Sequence, residues 1–261
     1  MKLLAFETAT EACSVALYLD GEIIQRHQVL PRLHAEYALP WAEELLAQAG
    51  IKRSQLDAIA VSRGPGAFTG VRLAIALAQG IALALHKPVV AVSTLMAIAA
   101  ALPRPLRKQG SSTPSQAAEG EGLPYGLESS SDAPQRILAA IDARMGEVYA
   151  GAFERHGDQL VALSAEVVAA PGQVVLPDAN GNWYGAGTGF AAADNALQLH
   201  LGSQLLDVDA GILPHAADVA RLAVAAYQRG EALAPERVEP AYLRNNVALT
   251  LEEQKALRAL K

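Results

Sequence analysis

A glycine-rich stretch, Gly64-Pro65-Gly66-Ala67-Phe68-Thr69-Gly70, separates an apolar strand over 57–62 from a helix that runs to about Leu85. A chain that leaves a strand through glycines and re-enters a helix must turn sharply, and a further apolar strand, 88–93, opens at Pro88. Upstream, residues 2–7, 13–19 and 22–30 read as strands, with Asp20-Gly21 as the hairpin turn between the last two. Ala38, Trp41, Ala42, Leu45, Leu46 and Ala49 recur at helical spacing, Gly50 stops that helix, and Pro40 is expected to start a new turn or kink it. A short helix follows from Ser93. The order β-β-β-α-β-α-β-α makes an α/β fold, a mixed sheet flanked by helices.

The chain then starts over. Arg136–Asp142 and Gly146–Phe153 read as strands, His156-Gly157-Asp158 as a turn, and Gln159–Val167 as a third strand. Leu4-Ala5-Phe6-Glu7 and Ala139-Ala140-Ile141-Asp142 each put a carboxylate at the end of an apolar strand, the pattern of a duplicated strand–hairpin module. Between the two modules, Pro, Gly and Ser crowd residues 103–135, which read as a flexible insertion longer than a linker needs. A final helix is expected over 215–229, a Pro-containing extended stretch over Arg237–Arg244, and helix composition over Thr250–Leu260. With 261 residues, about half of them hydrophobic, the chain divides into domain 1–102, insertion 103–135, domain 136–230 and tail 231–261. The last helix of the second domain is placed either within it or back on the first.

A formal net charge of −6 argues against direct, strong binding to a phosphate backbone. Cys13 stands alone, so no internal disulfide forms and a reducing cytosol is the expected compartment. Glu7 and Glu11 interrupt any signal-peptide core, and no uncharged run reaches the roughly 20 residues of a membrane helix. No Gly-x-Ser-x-Gly elbow is present, and burial of Cys13 in an apolar strand would raise its thiol pKa.

The Gly64–Gly70 loop admits two readings: a structural turn, which is favoured, or an anion cradle at a helix N-terminus. It lacks the Lys-Ser/Thr of a P-loop, since Val71-Arg72 follows, and it has Thr69 where a dinucleotide fingerprint needs its third glycine. Thr69 suits a helix N-cap instead.

Four stretches carry a resemblance. They are Phe6 to Ala16 (FETATEACSVA), Gly64 to Arg72 (GPGAFTGVR), Asp142 to Tyr149 (DARMGEVY) and Pro240 to Arg244 (PAYLR). Together they resemble the TsaB (YeaZ) family over Met1 to Arg244, the 103–135 insertion excepted. The family signature loop falls on Gly64, Pro65, Gly66, Phe68, Thr69, Gly70 and Arg72. The resemblance implies the actin-like ATPase superfold shared with sugar kinases and heat-shock chaperones, built from two ribonuclease-H-like domains. It implies a cytoplasmic, non-catalytic scaffold subunit, required with the catalytic subunit TsaD and the small ATPase TsaE for threonylcarbamoyl transfer to adenosine 37 of tRNA, with tRNA met only indirectly. The alternatives are an autonomous ATP-dependent, kinase-like enzyme and a metallopeptidase.

In the catalytic relative, a His-x-x-x-His pair holds a metal after the strand that follows the Gly-rich helix. Thr94 and Ile98 stand at those positions here, and neither offers a useful ligand. Glu7-Thr8-Ala9-Thr10 and Asp142-Ala143-Arg144-Met145 lack the glycine with which active members of the superfold admit phosphates. Gly185 to Gly189 would meet an adenine or ribose, or else make a plain strand exit, the favoured reading. No intrinsic cofactor is expected; ATP or ADP is placed at a surface shared with the partner. The superfold puts ligands between its domains, so Glu7, Asp142, Arg144 and Glu147 are expected at that cleft, the alternative being a solvated ion-pair network.

The helix from Val71 to Leu85 has one charge, Arg72, and one further polar side chain, Gln79. A helix apolar nearly all round needs cover on two sides. It is either sandwiched within its own domain or, as the resemblance implies, part of the surface on which the family pairs with itself and with TsaD. The expected interface residues are Ala38, Trp41, Leu45, Ala74, Ala78, Ile81, Ala82 and Leu85, and the expected resting state is a homodimer.

Overall fold

The computed structural model describes residues 1–103, 134–178 and 182–244. It contains two sheets of matching topology. In the first, β1 (Lys2–Glu7), β2 (Ala12–Leu19), β3 (Glu22–Val29), β4 (Ala58–Ser62) and β5 (Val89–Val92) lie in the order β3-β2-β1-β4-β5. Its first three strands are antiparallel, and β4 and β5 run parallel to β1. In the second, β6 (Gln135–Arg144), β7 (Glu147–His156), β8 (Gln159–Ala162), β10 (Trp183–Ala186) and β11 (Leu205–Asp209) lie in the order β11-β10-β6-β7-β8, and the short β9 (Val167–Ala169) pairs with β7. Here too the early strands are antiparallel and the late ones parallel to the central strand. The duplicated module is thus visible as topology, with β6 in the place of β1.

Alternation along the strands gives each sheet two apolar faces. On the first sheet, Leu4, Phe6, Val15, Ile59 and Val61 face α1 (His34–Gln48) and α2 (Phe68–Leu85). Leu3, Ala5, Ala16, Ala60 and Val90 face the other way, onto α5 (Ala216–Gln228), the last described helix of the chain. Ala216, Ala220 and Ala223 meet that alanine-rich face, and small residues on both sides let helix and sheet approach closely. In exchange, α3 (Thr94–Ala101) covers the second sheet: Leu95, Ile98 and Leu102 pack on Ile137, Ile141 and Phe153. Each such side chain contributes roughly 1.5–3 kcal/mol on burial. The two bodies therefore exchange covering helices, and α3 joins them through its core.

Local chemistry sets the helix ends. Gly50 takes φ +64 after α1, and the bonds Ile51 N to Leu46 O and Gly50 N to Ala47 O close a Schellman motif. Ser93 caps α3, its hydroxyl accepting from Met96 N at 3.1 Å. The open carbonyls at the C-terminus of α3 receive Arg155, which donates to Ala99, Ala100 and Leu102.

Several expectations are corrected. Helix α1 is continuous through the exposed Pro40, so no new helix starts there. Thr69 is not the N-cap of α2: the helix starts at Phe68 with Ala67 at the cap, and Thr69 points out from the first turn. The single strand expected over 159–167 is two, β8 on Phe153–His156 and β9 on Val148–Ala150. Most of the insertion and the Thr250–Leu260 helix lie outside the described residues; at the insertion's end, Gln135 already belongs to β6.

Candidate functional site

β1 and β6 hold equivalent places; β1 ends in Glu7, and β6 carries Asp142 two residues before its end. Between those ends opens a cleft of about 880 Å3, walled by Thr8–Glu11 and Gly66–Val71 on one side, by Ile141–Arg144 and Thr188 on the other, and by the tail at Pro240–Arg244. Of the four residues expected there, Asp142 and Arg144 line it. They bind each other, guanidinium to carboxylate at 2.7 Å and Arg144 N to Asp142 Oδ1 at 2.8 Å. Glu147 turns to Arg244 instead. Glu7 does not reach the cleft at all: it is 0% exposed.

Glu7 Oε1 accepts from Ala9 N at 2.5 Å, while Oε2 has no partner. The hydroxyls of Ser62, at the end of the adjacent strand, and of Thr94 are likewise buried and make no close hydrogen bond, so Ser62 acts on Glu7 only from a longer distance. Burial in this setting pushes the Glu7 carboxyl up to about 7, against the opposing pull of Ser62 and of the Ala9 N–H. Burial and the nearby Glu7 push the Cys13 thiol up to about 12, so it carries no thiolate at neutral pH.

The glycine-rich loop is filled by the chain itself. Ala67 N donates to Ala9 O at 2.7 Å, and Thr8 Oγ1 donates to Gly70 O at 2.7 Å. A Cβ on Gly66 would stand 2.4 Å from Ala9 O, and one on Gly70 would stand 1.9 Å from Thr8 O. The glycines let the β1–β2 turn press onto the start of α2. The second body repeats the device: a Cβ on Gly187 would stand 2.4 Å from Ala140 O. In the signature loop, Gly64 (φ +98) and Pro65 are buried, whereas Phe68 and Thr69 face out and the Arg72 guanidinium lies 3.2 Å from the Phe68 ring centroid. Thr94 and Ile98 are both buried, and among the described residues no group of three His, Cys, Asp or Glu could hold a metal.

The expected interface residues divide between two faces. Ala38, Trp41, Leu45, Ala74, Ala78 and Ala82 belong to the core of the first body, because they are the rows that α1 and α2 lay on the sheet; Ile81 and Leu85 are half-buried at its edge. A residue that packs on its own sheet cannot also cover a partner. The outward row of α2 is a different one: Phe68 (63% exposed), Thr69, Arg72, Ala76, Gly80 and Leu83 (54%), with Tyr37 and Leu39 exposed on α1. By length and composition alone α2 could cross a bilayer, but its inner row is committed to the sheet, and 33% of it is buried.

Sequence reasoning missed the long-range polar contacts. Ser93 Oγ donates to Glu166 across the two bodies. Burial raises the Glu166 carboxyl above its ordinary range, opposed by Ser93 and Arg63. His27 stacks on His215 with centroids 3.8 Å apart, and burial, then the second imidazole, lower His27 to about 4. These partners lie far apart in the chain, and no local pattern signals them.

The comparisons with known proteins agree with this architecture. The family model of "TsaD: tRNA N6-adenosine threonylcarbamoyltransferase" matches residues 25–112. The Escherichia coli "tRNA threonylcarbamoyladenosine biosynthesis protein TsaB" is 38% identical over 255 residues, spanning 95% of this chain and 96% of that protein. The chain belongs to the TsaB family. The Haemophilus influenzae TsaB is 35% identical over 256 residues, with 95% of each chain covered. The solved structure "YeaZ from Pseudomonas aeruginosa" superposes with a TM-score of 0.75 at 41% identity, covering 93% of this chain and 99% of that one. TsaB membership carries with it the actin-like, two-body α/β fold seen here.

Proposed function

We propose that this TsaB-family chain serves tRNA threonylcarbamoyladenosine biosynthesis as a non-catalytic subunit that acts by pairing. Family membership supports the pathway and the non-catalytic role. TsaD, whose family model also matches residues 25–112, is the catalytic partner, and TsaE is the third member of the assembly. A kinase-like or peptidase reading finds no purchase: the loop glycines hold the chain's own turn, Glu7 is sealed, and Cys13 is a buried neutral thiol.

One observation carries the pairing: apart from Thr69 and Arg72 near its start, the outward row of α2 is apolar and exposed, while the inner row is already buried. A helix with two apolar faces and one sheet beneath it calls for a second cover. The pairing face is Phe68, Ala76, Gly80 and Leu83. The lone protein covers it with a second copy; TsaD takes that copy's place in the working complex. The assembly is cytoplasmic, tRNA reaches it through TsaD, and ATP or ADP belongs to the shared surface.

The test is Leu83→Arg together with Ala76→Arg. Both positions face solvent, so melting should be nearly unchanged. Light scattering should show a monomer, and TsaD capture should fall by tenfold or more, as burying an unpaired charge requires (about 2–5 kcal/mol). Full TsaD affinity in both variants would move the pairing surface elsewhere.

A further inference from the structure

The two bodies meet in different ways at the back and at the front. At the back, α3 is buried against the second sheet, and Ser93–Glu166 and the Arg155 contacts gather on the same helix. At the front lies the cleft, bridged by the tail. After α5 the chain is pinned along the first body: Leu233 pairs with Val89, Gln79 donates to Pro235 O at 2.9 Å and to Val238 O at 3.2 Å, and Val238 is buried in the first core. Ala241 N then donates to Arg63 O at 2.7 Å, and Tyr242 stands 5.0 Å from the Arg72 guanidinium. Beyond this point the chain leaves the first body.

Arg244 reaches the second. It donates to Ala143 O at 3.2 Å and to the Glu147 carboxylate, and it lies 3.7 Å from Met145 Sδ. These acceptors sit on the β6–β7 hairpin tip, where Arg144 and Met145 are both left-handed (φ +64 and +57) and Met145 is 87% exposed. Non-glycine residues in that region cost roughly 1–2 kcal/mol each, so the tip needs an external hold. The Arg244 side chain is only 18% exposed, although it ends an extended segment.

We infer that Pro240–Arg244 is a strap across the interdomain cleft and that Arg244 is its latch on the hairpin tip, fixing how far the cleft opens about the α3 joint. One guanidinium nitrogen, Nη2, donates to the Ala143 carbonyl and to the Glu147 carboxylate, while Nη1 lies against Met145 Sδ, a third contact that the single nitrogen of an ammonium would leave unmade. The latch stands on contacts within the lone chain and does not depend on the pairing face proposed above.

The experiment uses the full chain carrying Ala47→Cys and Leu199→Cys, two exposed positions on the outer helices of the two bodies, with buried Cys13 left unlabelled. Spin labels there report the distance between the bodies, and hydrogen exchange reports the tip. Arg244→Gln should broaden the distance distribution and speed exchange at Arg144–Glu147 about tenfold, the change expected from losing one charge-assisted hydrogen bond. Arg244→Lys should fall between, and Glu147→Gln should move both readouts the same way to a smaller degree. Circular dichroism checks that each variant is folded. Unchanged distances with faster exchange would reduce Arg244 to a local staple of the hairpin and overturn the strap. Two unchanged readouts would overturn it as well.

Discussion

The two bodies share a sheet and differ in what covers its outer face. On the first, two long helices, α1 with 15 residues and α2 with 18, lie side by side. On the second, the corresponding cover is α4 (Ala196–Leu201, 6 residues) with a short turn at Pro171–Gln173, and large side chains do the filling: Trp183, Phe190, Leu197 and Val174. Irregular backbone with aromatic fillers seals a core but presents no regular face. Regular helices with alanine on the inner row seal a core and leave a second, ordered row outside. Duplication thus supplied the frame twice, while among the described residues the helical face proposed for pairing lies on the first body alone.

The largest effect should come from the inner row. Ala78 is 0% exposed between α2 and the first sheet, so Ala78→Arg drives a guanidinium into an apolar core. The cost is on the order of 5 kcal/mol or more, enough to unfold a marginal domain. The chain should be recovered insoluble or as a molten species by circular dichroism and thermal melting. A folded Ala78→Arg protein that merely fails to pair would mean that the inner and outer rows are assigned the wrong way round.

Next in size is the loop beneath that helix. Gly70→Ala would place a methyl 1.9 Å from Thr8 O, a backbone atom that cannot swing aside. The β1–β2 turn must shift, at a cost of about 3 kcal/mol by analogy with overpacked cores. Denaturant titration should show the loss directly. Wild-type stability in Gly70→Ala would leave the loop's glycines without the packing role that separates them from a phosphate cradle.

The sealed carboxylate gives the fold a pH dependence. Glu7 ends β1 and is buried, whereas Asp142, two residues before the end of β6, lines the cleft. The Glu7 pKa of about 7 in the folded state exceeds the ordinary 4.5. Between those values the folded chain keeps a proton that the unfolded chain has released. The stabilisation from this proton is therefore complete below about pH 4.5 and lost as pH rises through 7, by about 3 kcal/mol at most. Glu7→Gln should flatten this part of the stability profile and leave the protein more stable than wild type at pH 8. Parallel slopes for wild type and Glu7→Gln would show that Glu7 is ionised in the fold.

What was legible in the sequence follows from the range of each signal. Asp20-Gly21, Gly50 and Ser93 announce their turns and caps because their effect is confined to a few residues. The repeat of Leu4–Glu7 in Ala139–Asp142, an apolar run ending in a carboxylate ahead of a hairpin, suggested the duplication. The helical period of α2 was visible, but its phase was not: a helix apolar on every side offers no contrast by which to choose Ala78 or Ala76 as the inner residue. That choice depends on the sheet beneath. The clamp of Arg155 on α3 and the reach of Arg244 to Glu147 depend on which helix crosses to which body, and composition does not encode that.

The smallest effect bears on the outer row itself. Gly80 lies in the middle of α2, exposed, with nothing within 4 Å of where its Cβ would be. For the lone subunit the glycine is a cost, since it loses more backbone entropy on folding than alanine. Gly80→Ala should therefore stabilise the isolated chain by about 0.5–1 kcal/mol. If the outer row meets a second helix, the same methyl stands where two backbones approach, and pairing should weaken while folding improves. The two readouts separate cleanly: a higher melting point in a dilute monomeric variant such as Leu83→Arg, and a faster dissociation of the pair in the otherwise native chain. Improved stability with unchanged pairing would keep the helix face but remove Gly80 from it, shifting the contact toward Phe68 and the α2 N-terminus. A loss of stability would contradict the open surroundings of Gly80 and, with them, the claim that the first body has an uncovered face that the second lacks.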